Sequence, residues 1–145
     1  MTDSIHFRKL EKMYGRANVN AIYEPRIQID KDKTEIEIDV SEKFFHSGGA
    51  IHGSVYFKVL DDAAFFAAAA FEKEFFVLTT LFTTYITRPV SSGVLKSVGR
   101  VVNQNKSQFI VEAIAFDDAS REVARGNGIF VRSKIPLSGV SHYTD

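Results

Sequence analysis

Two adjacent aspartates, Asp61 and Asp62, stand in a stretch that is otherwise almost wholly apolar, HSGGAIHGSVYFKVLDDAAFFAAAAF from His46 to Phe71. A carboxylate facing apolar surroundings is costly unless something satisfies it. Asp62 has a ready partner, because Lys58 lies four residues earlier on the same helical face. Asp61 is flanked at four residues' distance by Phe57 and Phe65, and its one local cation is that same Lys58, better placed for Asp62. Asp61 therefore lies at the surface, is paired through the fold, or is a working acid, a nucleophile or a base. Just upstream, His52-Gly53-Ser54 reads as the start of a helix, with Ser54 as its N-cap and Gly53 free to take a backbone angle other residues avoid. A helix start presents unpaired N–H groups and the positive end of the dipole.

The segment that must position these groups is a buried helix. Val55, Val59, Ala63, Phe66 and Ala70 recur at helical spacing, and Tyr56, Phe57, Leu60, Phe65 and Ala67 to Ala69 fill most of the remaining circumference. It is too short to span a membrane, and Lys58, Asp61 and Asp62 interrupt it. The whole chain, 145 residues, suits a single domain spanning 1–145. Lys and Arg number 18, as do Asp and Glu, so there is no global field to attract nucleic acid or an anionic membrane. The absence of cysteine excludes disulfides, thiolate metal sites and a cysteine nucleophile. No N-terminal charged-then-apolar segment with a cleavage site is seen, and a cytoplasmic location is expected.

In chain order, Ile5, Phe7, Leu10 and Met13 form the apolar face of a short helix over about 4–15, ending at Gly15, with a hydrogen-bonded His6 in that face. Residues 16–24 read as a loop. Arg26 to Asp30 and Thr34 to Val40 alternate like a hairpin with one face on the core. After the buried helix come strand-forming runs at Phe75 to Ile86, Val94 to Val102, Gln108 to Phe116 and Glu122 to Arg132, expected as a meander. Gly126 and Gly128 mark a bulge or a close approach, and 136–145 reads as a tail. A helix this apolar needs cover all round, so the expected class is α+β: one curved antiparallel sheet wrapped around a long central helix.

This order, with the run from His52-Gly53-Ser54 to Asp61, resembles the hotdog fold, and within it the phenylacetyl-coenzyme A and related acyl-CoA thioesterase group. The signature there is a polar residue, six positions on a His-Gly-Gly, and an acidic residue nine positions after that His. Here these fall on His46, His52-Gly53-Ser54 and Asp61. The likeness extends over 34–132 and includes Thr79 to Pro89, ending in Thr87-Arg88-Pro89. Two departures stand out: His46 replaces the usual Asn, and Ser54 the second Gly.

The resemblance implies hydrolysis of an acyl-CoA to a carboxylic acid and free thiol, with no cofactor beyond the CoA thioester itself. Asp61 would be the nucleophile or general base, and the Gly53 amide would polarise the thioester carbonyl. His46 and Thr79 would orient water or substrate, with Thr80 the neighbouring alternative, and His52 would complete the motif. Gly53 and Asp61 lie about 12 Å apart along one helix by rise alone, too far to serve one substrate atom, and the resemblance implies that a dimer closes the gap, with the Gly of one subunit facing the Asp of the other. A homodimer, or a dimer of dimers, is implied. Arg88, Lys106, Arg132 and Lys134, at strand ends, are the candidate cations for the CoA phosphates. Phe44, Phe45, Tyr56, Phe57, Phe65 and Phe66 suit either an aromatic or medium-chain acyl pocket or core packing. A non-catalytic acyl-CoA-binding module and a hydratase or dehydratase on the same fold are the alternatives.

Overall fold

In the computed structural model, which describes all 145 residues, α1 (Asp3–Arg16) and a single turn, α2 (Asn20–Tyr23), precede β1 (Arg26–Ile29) and β2 (Thr34–Asp39). The central helix α3 (Gly53–Ala69) is followed by β3 (Phe75–Ile86), β4 (Val94–Gln104), β5 (Gln108–Phe116) and β6 (Glu122–Pro136). All strands join one antiparallel sheet of order β1-β2-β4-β5-β6-β3. The expected class holds, but the strands after α3 are not a simple meander. β3 pairs with β6 and forms an edge, while β2 takes the place beside β4. Alternation of apolar residues fixes which face of a strand is buried and leaves its neighbour open, so strand order was not readable from it.

The sheet's inner surface explains why α3 is rich in alanine. Thr34, Gly99, Ala113, Gly126 and Thr84 stand opposite one another across five strands, and Ser97, Ala115 and Ala124 form the next row. Directly opposed residues share a face, and this face lies under α3. Ser97 Oγ donates to the Val59 carbonyl at 2.6 Å. A Cβ on Gly99 would sit 2.3 Å from the Ala63 carbonyl oxygen. Small residues on both partners let helix and sheet approach at backbone distance. Gly99→Ala is expected to destabilise the protein by about 1–3 kcal/mol, read as a lowered denaturant midpoint; an unchanged midpoint would show that the contact is looser than described.

Gly126 and Gly128 mark a close approach, not a bulge: the Phe82 ring lies where their Cβ atoms would be. Elsewhere the expected boundaries shift. α1 runs through Gly15 to Arg16, and its buried stripe is His6, Phe7, Leu10, Met13 and Tyr14. Ile5 lies at the margin, 45% exposed, because positions 6, 10, 13 and 14 keep a tighter helical stripe. His6 is fully buried, its ring bridging the Ala69 carbonyl (2.8 Å) and the Tyr143 hydroxyl (2.7 Å), which ties α1 and the C-terminal segment to the end of α3. Residues 16–24 are not all loop, since they contain α2. β6 continues past Arg132 because Pro136 still pairs with Phe75, so the tail begins after 136. No helix is long and apolar enough to cross a membrane.

Candidate active site

At the start of α3 the N-cap is His52, not Ser54: the His52 ring accepts the Ser54 N–H at 3.0 Å through Nδ1. Serine is the commoner cap, but here the helix begins two residues earlier and leaves Ser54 inside the first turn. Gly53 has an ordinary negative φ; the left-handed glycine of this loop is Gly49, at φ 86°. Gly53 supplies room instead. A Cβ there would meet Ile86 Cδ1 at 3.3 Å, and its N–H donates to no acceptor in the chain. His46, Gly53, Tyr56, Ile86 and Arg88 line a cavity of about 350 Å³ at this helix start. Tyr56 donates to the Arg88 carbonyl at 2.8 Å, which fixes Arg88 there. His46 is oriented through Nδ1, which accepts the Gly48 N–H at 2.9 Å.

From that cavity a seam runs between α3 and the edge strand β3. Positions 53, 57, 61 and 65 fall along one side of the helix, and each meets a residue of β3 in descending order. Gly53 lies against Ile86. Phe57 meets Phe82 edge-on, with ring centroids 5.8 Å apart. Asp61 accepts a hydrogen bond from Thr79 Oγ1 at 3.0 Å. Phe65 packs on Phe76 at 5.4 Å. Two register shifts, between Phe75 and Val77 and between Thr79 and Leu81, make this possible: the first lets Phe76 reach Phe65, and the second sets the facing of the residues on either side of it. Val77 and Thr79 face α3 ahead of it, and Phe82 and Ile86 face α3 after it. The extra residue, Thr80, turns away and donates to the Ile129 carbonyl at 3.0 Å. Bulges re-aim side chains in this way, and simple alternation could not have decided between Thr79 and Thr80.

The two aspartates have different surroundings. Asp62 is bonded to Lys58 Nζ at 2.7 Å and accepts from the Tyr14 hydroxyl at 2.6 Å. Lys58 in turn sits over the rings of Tyr14 and Tyr23. Burial raises the Asp62 pKa, opposed by Lys58 and Tyr14, and burial followed by the Asp62 charge pushes the Tyr14 phenol far up. Asp61 is half-buried, and within the chain Thr79 is its single side-chain partner. Burial pushes its carboxyl up to about 6, with the neighbouring Asp62 charge adding to the rise; the Thr79 hydrogen bond and Lys58 work against it. Of the three readings open for Asp61, pairing with a cation is thereby removed: Lys58 goes to Asp62. An under-satisfied carboxylate beside an exposed sheet edge is suited to take a proton from water or to attack a carbonyl.

The remaining expected cations separate. Arg88 belongs to the helix-start cavity. Arg132 is committed within the chain: Nε to Glu72 at 2.8 Å, Nη1 to the Asn105 and Lys106 carbonyls, and the guanidinium 4.3 Å over the Phe109 ring. It therefore holds the β4–β5 turn and is not free for a phosphate. Lys106 and Lys134 are exposed and away from the lining of the helix-start cavity. Among the aromatics, Phe44 stacks on Tyr23 in the core, and only Phe57 and Phe65 lie on the seam. Sequence reasoning missed Tyr14 as the second partner of Asp62. Its one signal was its position a turn after Leu10 on α1.

A sequence model of the thioesterase superfamily matches residues 48–124, over half of the chain. A protein of Saccharolobus solfataricus provisionally named esterase SSO1253 is 27% identical over 127 residues, 88% of this chain and 72% of its own length. Among solved structures, the Escherichia coli PaaI protein from the phenylacetic acid degradation operon superposes with a TM-score of 0.82 at 17% identity, covering 94% of this chain and 99% of that one. A thioesterase family protein of Silicibacter pomeroyi gives a TM-score of 0.78 at 24% identity, covering 86% and 95%. The sheet curled around one helix is the hotdog fold.

Proposed function

The chain belongs to the thioesterase superfamily, and from that premise we propose that it hydrolyses acyl-CoA thioesters, using Asp61 of one subunit and the Gly53 amide of a second. The observation that carries this reading is Asp61 itself, held on the seam by Thr79 alone while Lys58 and Tyr14 serve Asp62. β3 has a neighbour on one side only, and Phe57, Leu81 and Tyr85 along it are 43%, 52% and 56% exposed. A two-fold axis beside Phe57, midway between Gly53 and Asp61, would pair two β3 edges antiparallel. It would also set each Gly53 opposite the partner's Asp61.

In that arrangement the thioester carbonyl accepts a hydrogen bond from Gly53 N–H at the positive end of α3, where charge developing on its oxygen is stabilised. Asp61 removes a proton from water as the water oxygen adds to the carbonyl carbon and returns that proton to the CoA sulfur as the C–S bond breaks, leaving the carboxylic acid. Alternatively, Asp61 adds to that carbon directly, CoA leaves as the thiolate and takes a proton from solvent, and water then hydrolyses the acyl–Asp61 anhydride to release the acid and restore the carboxylate. Thr79 holds the Asp61 carboxylate in place. His46 and Arg88, at the helix start, are placed to orient the substrate and to meet a CoA phosphate.

The direct test is thiol release from a panel of acyl-CoAs followed with a chromogenic thiol reagent. Release is expected from at least one acyl-CoA. Tight binding with no release would make the protein a binding module, and an absorbance change on an enoyl-CoA with no thiol would make it a hydratase. The pH profile tests the role of Asp61. A base or nucleophile must be ionised, and its pKa in the fold is about 6. Below that value kcat/KM should fall about tenfold per pH unit, and above it a plateau should follow. A rate independent of pH across this window would remove Asp61 from the chemistry.

A further inference from the structure

The seam does not stop at Asp61. One turn further along α3, Phe65 and Phe76 border a cavity of about 460 Å³ that is also lined by Tyr14, Phe66, Arg16 and His142. It is bounded by the end of α1, the second half of α3, the start of β3 and the C-terminal segment, so every wall comes from this chain. No acidic residue lines it. The Tyr14 hydroxyl is already committed to Asp62. Arg16 is exposed and takes part in none of the ion pairs of the molecule.

We infer that this cavity receives the acyl group, and that it selects acyl chains ending in a carboxylate, which Arg16 binds with His142 as a second donor. The inference rests on the thioesterase reading for the position of the thioester, and on the cavity for its selectivity. Phe65 lies about 6 Å beyond Asp61 along the helix, so an acyl chain whose carbonyl sits at Asp61 enters the cavity after a few carbons. Its methylenes then lie against the four rings. A methyl end gains only apolar contact there. A carboxylate end gains charge-assisted hydrogen bonds to a guanidinium whose planar fork matches it. A neutral or basic end gains nothing from Arg16.

The test compares octanoyl-CoA with suberyl-CoA, equal in chain length and different only at the far end. Binding is measured by calorimetry on Asp61→Asn protein, so that turnover does not intervene. Suberyl-CoA should bind about tenfold more tightly. Arg16→Met should erase that difference without weakening octanoyl-CoA, and Ala17→Trp, which fills the cavity, should weaken both esters while leaving free CoA unaffected. Equal affinities for the two esters, an equal loss of both in Arg16→Met, or no effect of Ala17→Trp would overturn the assignment. Thiol release by the unmodified protein is scored separately. A binding preference without release leaves the cavity assignment standing and defeats the hydrolase reading, and release without a preference does the reverse.

Discussion

Replacing Asp61 by Asn should lower thiol release about a thousandfold or more while leaving substrate binding in place. A positioned base or nucleophile contributes on that scale, and Asn keeps the shape and can still meet the Thr79 hydroxyl. The same substitution should make the protein more stable, which separates lost chemistry from lost structure. The unfolded carboxyl has its ordinary value of 3.8, and burial raises it to about 6 in the fold. Below pH 3.8 both states hold the proton and the group costs nothing. As pH rises toward 6 the unfolded chain ionises first, so stability falls, and above about 6 the whole cost is present, on the order of 3 kcal/mol. Asp61→Asn should therefore unfold at higher denaturant than the parent at pH 7, with no difference below about pH 4. An inactive variant that is also less stable at pH 7 would mean that the carboxylate is structural.

Introducing a charge at the proposed two-fold axis should have an effect of similar size by a different route. Phe57 is 43% exposed and meets Phe82 edge-on. In a dimer whose axis passes beside it, Phe57→Glu would set two carboxylates face to face, which costs several kcal/mol across a desolvated contact. The expected result is a folded monomer by light scattering. Its thiol release should fall by about a hundredfold to a thousandfold, the usual effect of losing one oxyanion donor. Phe57→Leu should keep both the dimer and the activity. A Phe57→Glu monomer that turns over at the parent rate would show that one chain holds a complete site.

The acidic pair, the helix that carries it and the strand runs were legible in the sequence because each rests on a local period or on an i, i+4 relation. Lys58 going to Asp62 and leaving Asp61 unpaired follows from spacing alone. Thr79 against Thr80 did not, because the register shift that separates them depends on pairing with β6, a strand some fifty residues away in sequence. The edge position of β3 was hidden for the same reason, and with it the seam. Arg132 resembled any strand-end cation until its partners Glu72, Asn105 and Phe109 were brought to it from other elements. Tyr14 and the cavity beyond Phe65 arise where α1, α3, β3 and the C-terminal segment converge, and no local pattern announces such a meeting.

The most direct test of a site shared between subunits is complementation. Gly53→Pro removes the amide donor at the first helical position, where proline is well tolerated, and Asp61→Asn removes the acid. Each homodimer alone should be inactive. Unfolded together in equal amounts and refolded, half of the dimers are mixed, and each mixed dimer holds one intact pair of Gly53 from one chain and Asp61 from the other. About a quarter of the parent activity should then return. If the refolded mixture stays as inactive as its two components, the amide and the acid do not meet across subunits and the account is wrong.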